Sequence, residues 1–264
     1  MDKKKLCFIF NQAPLYVESA YTLFDKEFNA KWCFGSNDTD IKDMDLTLLK
    51  DVTIYKTNRW GAGFYTLKGI SEVANDKSID AYIIIGEPKL VDAWTLPLKI
   101  KRKNPRAKIL YWSHGWYGKE SRIKAIVKKL FFKLADGVLL YGNYARGLMI
   151  KEGFNPDTLY TIHNALHHSR QVKLRNSIAP SNIYSEHFDN NYPTIIFIGR
   201  LTKVKQLDLV INALSLLKEK GSSTGNCVDN CGNLLGKNGE TKNLLLAMWD
   251  LVNYNYKKSE EETW

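Results

Sequence analysis

A histidine set between an apolar run and a glycine is the first feature of this chain that could do chemistry. His114 follows Ile109-Leu110-Tyr111-Trp112-Ser113 and precedes Gly115. Open α/β sheets bind ligands just beyond the carboxyl ends of their strands. A histidine there is a candidate catalytic group, and Gly115 a candidate for the lining of the same cleft. Arg200 and Lys205 are a second feature: two cations five residues apart, behind the apolar run 194–198 and Gly199. The third is a concentration of charge. The window 99–133 holds 12 Lys or Arg against one acid, Glu120, and so carries +11, whereas the whole 264-residue chain carries +10. A localised basic face suits nucleic acid, phosphate-rich ligands or an anionic membrane surface, and it is also what a solvated helix face looks like. Cys7, Cys33, Cys227 and Cys231 lack metal-ligand spacing, so the expectation is no metal site and a reducing, cytoplasmic compartment.

The elements that must position these residues show in the hydrophobic pattern. Apolar runs of strand length fall at 6–10, 31–34, 52–55, 81–85, 109–112, 137–141, 158–162 and 194–198. The stronger ones are continuous rather than alternating, which predicts strands covered on both faces, hence a parallel sheet. Helical patterns at 19–28, 63–75, 91–103 and 207–220 lie between them and predict βαβ units. The run 6–10 is too short for the apolar core of a signal peptide, and no apolar stretch approaches the ~18 residues of a membrane span. In 120–135, Ile123, Ile126, Val127, Leu130, Phe131 and Leu134 form one stripe, with Arg122, Lys128, Lys129 and Lys133 off it. Two readings stay open for this helix: it packs its stripe on the sheet, or it meets an anionic membrane with it. The polar stretch 169–193, with Pro180, Asn182, Asn190 and Asn191, is expected to be a linker between a first domain at 1–168 and a second unit at 194–264. Beyond Gly221, residues 221–240 read as a loop and 243–252 as one more strand or helix.

Several of these segments carry a resemblance. Phe197-Ile198-Gly199-Arg200-Leu201, followed by Lys205-Gln206-Leu207-Asp208, resembles the strand–loop–helix that opens the second domain of family 4 glycosyltransferases of the GT-B type. Leu159 to Leu166 resembles the stretch that closes their first domain, with Asn164 in place but His163 and Ala165 where Pro and Gly are usual. Trp112 to Trp116 resembles their His-Gly element, and Asp136 to Asn143 the strand after it. The resemblance implies an α/β fold with two Rossmann-like domains. It implies transfer of a sugar from a nucleoside-diphosphate sugar to a glycan or lipid-linked acceptor, as in polysaccharide or cell-envelope synthesis. Gly199, Arg200 and Lys205 would hold the donor diphosphate, His114 would be the catalytic group, and Gly115, Asn143, Asn164 and Asn11 would line the cleft. Two fixed cations can stabilise the charge of a departing diphosphate, so neither a metal nor a cofactor is implied. Asn11-Gln12-Ala13-Pro14 replaces the family's glycine-rich turn after the first strand, and Gln206 replaces a usual glycine.

The resemblance covers roughly residues 5–220. The family's later Gly-Asp-Gly and paired-Glu motifs do not follow. Back-translating residues 245–250 and reading two bases later permits Ile-Gly-Asp-Val-Gly, so the tail is expected to be a frameshifted remnant of the second domain. The alternative to an active transferase is an inactive remnant that serves as an acceptor- or membrane-binding domain. The basic face 99–133, with Arg122, Lys128, Lys129 and Lys133, would then or otherwise approach a membrane or an acceptor, from the cytoplasmic side. Trp112, Trp116 and Tyr117 lie among the basic clusters without forming an RNA-reading signature, so no nucleic-acid partner is expected.

Overall fold

The computed structural model describes residues 3–39, 41–163, 167–189, 194–199 and 205–219, and the short strands at 227–228, 234–235 and 243–248. The chain forms two compact units, Met1–Ser177 and Ile178–Trp264.

Unit 1 is built on a seven-stranded sheet in the order β3-β2-β1-β6-β7-β8-β9. The strands are β1 (Lys5–Phe10), β2 (Asn29–Gly35), β3 (Asp51–Tyr55), β6 (Ala81–Ile85), β7 (Lys108–Ser113), β8 (Gly137–Leu140) and β9 (Leu159–Thr161). Every neighbouring pair is parallel. Their apolar runs are continuous because both faces are covered. Cys7 and Ile9 of β1 point into one core with Tyr82, Ile84 and Tyr111, while Phe8 and Phe10 point into the other with Trp32, Phe34 and Trp112. The second core is aromatic: Phe8 stacks on Trp32 at 4.1 Å between centroids and Phe10 on Tyr21 at 5.2 Å. Helices α1 (Glu18–Glu27), α2 (Asp92–Lys103), α3 (Arg122–Phe132) and α4 (Asn143–Lys151) connect the strands, and α5 (His168–Ser177) ends the unit. This is the doubly wound parallel α/β architecture expected from the pattern of runs.

The order holds one reversal. From β1 the chain lays β2 and β3 on one side, then crosses back to place β6, β7, β8 and β9 on the other. The boundary between β1 and β6 is therefore the switch point of the sheet, where neighbouring loops diverge and leave a crevice.

The structure differs from the sequence pattern, or resolves it, at three places. The helix expected at 63–75 is instead the second strand of a hairpin, β4 (Thr57–Trp60) with β5 (Phe64–Leu67), followed by a 3-10 stretch at Ile70–Asn75. Gly69, at φ +88, breaks any helix through this segment. In α3 the stripe divides between its two open readings, since only its last members, Phe131 and Leu134, pack against the core. Phe131 and Phe132 are buried, but Ile123, Ile126, Val127 and Leu130 are exposed. The polar stretch 169–193 holds most of α5, which buries no side chain, and all of α6 (Ile183–Phe188), which is six residues long.

In unit 2, β10 (Thr194–Gly199) leads to α7 (Leu207–Glu219), and β10 pairs in parallel with β13 (Asn243–Met248). The short strands β11 (Cys227–Val228) and β12 (Leu234–Leu235) extend the same sheet. Gln206, just before α7, sits at φ +51, the left-handed region that favours glycine, which is the residue usual at this place in the resembled family. In unit 1, His163 lies at φ +58, a backbone conformation closed to the proline usual there.

Candidate functional site

A cleft of about 420 Å³ opens at the carboxyl ends of β1, β6, β7 and β8, on the switch point. Phe10, Tyr21, Ile85, Trp112 and Phe132 supply an apolar floor. Asn11, Gln12, Glu87, Ser113, His114, Tyr16, Tyr141 and Lys128 supply polar groups around it. Most come from the end of a strand or the turn after it, while Lys128 and Phe132 come from α3 and Tyr21 from α1, so residues far apart in sequence converge.

The turn 113–117 is held from both sides. The Ser113 hydroxyl donates to the Gly86 carbonyl at 2.8 Å and accepts from the Gly115 N–H at 3.1 Å, which ties the ends of β7 and β6 together. Gly115 lies at φ +71, and a Cβ on it would stand 2.5 Å from Leu140 Cδ2, so both conformation and space require glycine. Its carbonyl accepts from the Lys128 ammonium at 2.8 Å. Lys128 also reaches the Glu120 carboxylate at 2.6 Å and lies 4.9 and 4.8 Å from the ring centroids of Trp116 and Tyr117. The pair is largely buried, with 15% of the Lys128 side chain and 7% of the Glu120 side chain exposed. Burial pushes the Glu120 carboxyl up, but Lys128 and the Tyr117 N–H outweigh it and bring it to about 2.

His114, by contrast, is exposed, and its ring lies 4.6 Å from that of Tyr141. Burial raises the Tyr141 hydroxyl, so it stays protonated as a donor at neutral pH. Glu87, one residue beyond Gly86, accepts from the Tyr65 hydroxyl at 2.7 Å. Burial first, and then this carboxylate, push Tyr65 far up. A protonated phenol, an open imidazole and a carboxylate with further accepting capacity can bind the hydroxyls of a sugar and receive a proton from one.

Of the residues singled out from sequence, His114, Gly115 and Asn11 meet in this cleft. The carbonyl of Asn11 packs on Gly35, where a Cβ would stand only 2.4 Å away. Asn143 is exposed at the start of α4 and does not line the cleft. Asn164 and Arg200 lie outside the described residues. Gly199 ends β10 and Lys205 is exposed ahead of α7, both in unit 2. Lys128, placed on the basic face from sequence, turns inward to Glu120 and Gly115. Lys129 is half spent on Glu152 at 2.8 Å, whereas Arg122 and Lys133 stand in solvent. Among the described residues no group of three or more His, Cys, Asp or Glu is placed to hold a metal ion, and no helix is long and apolar enough to cross a membrane. Sequence reasoning missed Glu87 and Tyr141, although Gly86-Glu87 ends the run Ile83-Ile84-Ile85 just as His114-Gly115 ends its own.

No protein-family model matches the chain, and no curated protein matches it in sequence. Solved structures do resemble it. UDP-GlcNAc 2-epimerase from Neisseria meningitidis bound to UDP-GlcNAc superposes with a TM-score of 0.53 at 13% identity, over 92% of this chain and 72% of that one. Anabaena HepE in complex with UDP gives 0.51 at 15% identity, over 80% of this chain and 57% of that one. The fold is of the GT-B type. The lipopolysaccharide outer core galactosyltransferase WaaB, in its apo form, is also similar, with a TM-score of 0.48 at 15% identity over 94% of this chain and 69% of that one.

Proposed function

We propose that this chain binds a nucleoside-diphosphate sugar and transfers its sugar to a hydroxyl of a glycan or lipid-linked acceptor. The observation that carries the proposal is the cleft at the switch point, with an exposed imidazole, a carboxylate and phenols set around an aromatic floor. That combination suits a sugar, whose apolar ring faces rest on aromatic surface while its hydroxyls take polar partners. In this proposal the acceptor hydroxyl lies near His114 and Glu87, one of which receives its proton as the new bond to the sugar forms. The bond from the sugar to the diphosphate breaks in the same event, and negative charge grows on the departing group. Arg200 and Lys205 are assigned to that charge by the resemblance of their segment, with Gly199 beside Arg200 at the end of β10 and Gln206 just before α7. No cofactor enters this scheme. Two similar structures were solved with UDP or UDP-GlcNAc bound, which supports a nucleotide sugar as the ligand to try first.

Calorimetric titration with UDP, GDP and their sugar conjugates tests this. Binding weakened about tenfold or more by Arg200→Ala, the loss expected for one charge-assisted contact, is the predicted result. Absence of binding by the folded chain would overturn the proposal and leave at most an acceptor- or membrane-binding role. Interconversion of UDP-GlcNAc with its 2-epimer, with no acceptor present, would also contradict it.

A further inference from the structure

The outward face of α3 is the largest feature that the cleft does not explain. Ile123, Ile126 and Leu130 are 76%, 59% and 58% exposed, and Val127 beside them is exposed too. They sit at i, i+3, i+4 and i+7, so at about 100° per residue they form one stripe along the helix. Exposing four aliphatic side chains in a row on a helix is costly unless something covers them. The same rotation places Arg122 and Lys133 along one border of the stripe and Lys124 along the other, all exposed. The nearest acids are occupied elsewhere. Glu120 is buried against Lys128, Glu152 is paired with Lys129 at 2.8 Å, and Asp136 is paired with Lys101 at 2.7 Å.

We infer that α3 is a membrane-docking helix, which lies in the surface of an anionic phospholipid bilayer with Ile123, Ile126, Val127 and Leu130 inserted. The border of cations selects this occupant. A second copy packed face to face would bring Arg122, Lys124 and Lys133 against their own equivalents, and like charges oppose that. A nucleic acid would engage the cations but leave the aliphatic stripe uncovered. An anionic lipid surface satisfies both, through apolar insertion and attraction to its headgroups.

The opposite side of the same helix gives this docking a consequence. Lys128 and Phe132 point away from the stripe and line the cleft. One helix, about 10 Å across, therefore separates the bilayer surface from the cleft. On the proposed transfer reaction, this geometry favours an acceptor that is itself held in the membrane, with its reacting hydroxyl at headgroup height. The docking stands without that reaction; only the acceptor class rests on it.

The test is co-sedimentation of the full chain with vesicles of phosphatidylcholine alone and of phosphatidylcholine containing phosphatidylglycerol. The expected result is binding to the anionic vesicles, weakened at least roughly tenfold in Ile126→Glu/Leu130→Glu and by a similar factor in Lys124→Gln/Lys133→Gln. All four positions are solvent-exposed, so the variants keep their fold, which circular dichroism checks. Loss of nucleotide-sugar binding with vesicle binding intact would overturn the transfer proposal and leave the docking standing. No binding to anionic vesicles, or binding unchanged in Ile126→Glu/Leu130→Glu, overturns the docking. A dimer in solution that the double Glu variant dissolves would assign the stripe to a second copy instead. Oligonucleotide binding that survives that variant, with no vesicle binding, would assign the basic border to nucleic acid.

Discussion

The two edges of the unit 1 sheet use the same kinds of polar residue to opposite ends. At the amino edge they are spent on the fold. Asp80 accepts from the Lys5 N–H at 2.8 Å, and Asp76 takes the Lys5 ammonium at 3.0 Å. Asp136 accepts from the Ile109 N–H at 2.8 Å and from Lys101, and Asn104 donates to the Ile79 carbonyl at 2.9 Å. The bonds of Asp80, Asp136 and Asn104 close backbone groups at or just before the start of a strand, and Asp76 holds the Lys5 side chain beside them. At the carboxyl edge Asn11, Glu87 and His114 face a cleft and keep hydrogen-bonding capacity unspent. The support beneath them, Lys128 with Glu120 and the Ser113 hydroxyl, is locked. Groups with hydrogen-bonding capacity left over are the ones available to a ligand, so the comparison separates stability from function by edge.

Breaking the carboxyl edge at its tightest point has the largest expected effect. Gly115→Ala forces a side chain into the left-handed region and into Leu140, and is expected to cost about 3 kcal/mol, measured by urea unfolding. Glu120→Gln comes next, because it leaves the Lys128 ammonium buried with a weaker partner. The expected cost at neutral pH is about 2 kcal/mol. Its pH dependence identifies it. The Glu120 carboxyl is held at about 2 against an ordinary 4.5. A depressed value stabilises fully above 4.5, and the stabilisation is lost as pH falls towards 2. The difference between wild type and Glu120→Gln should therefore shrink between pH 4.5 and 2. The amino edge sharpens the contrast with a smaller effect. Asp136→Asn weakens its bonds to Lys101 and Ile109 and is expected to cost about 1 kcal/mol, with ligand affinity unchanged.

Much of the fold was legible because buried parallel strands leave an unbroken apolar run. β1, β6, β7 and β8 are legible that way; the switch point between β1 and β6 is not, because it depends on the order of the strands in the sheet. The hairpin β4–β5 was not. Leu67, Ile70 and Ala74 have helix-like spacing, and only Gly61, Gly63 and Gly69 hinted at turns. For α3 the period was legible and the direction was left open. A stripe of Ile, Val and Leu states that a helix is amphipathic, not which neighbour it faces, and here Phe131, Phe132 and Lys128 form the inner side. His114, Gly115 and Asn11 were legible as strand-end residues. Glu87 needed the strand order, since only the adjacency of β1, β6 and β7 brings it to them.

Hydrogen exchange, followed by mass spectrometry with and without a bound nucleotide sugar and a candidate acceptor, tests the central claim most directly. The account predicts slower exchange in the segments 11–17, 86–88 and 113–117 around the cleft, with 76–80 and 104–109 at the amino edge unchanged. Protection confined to the amino edge, or none in unit 1 when ligand is bound, would contradict it.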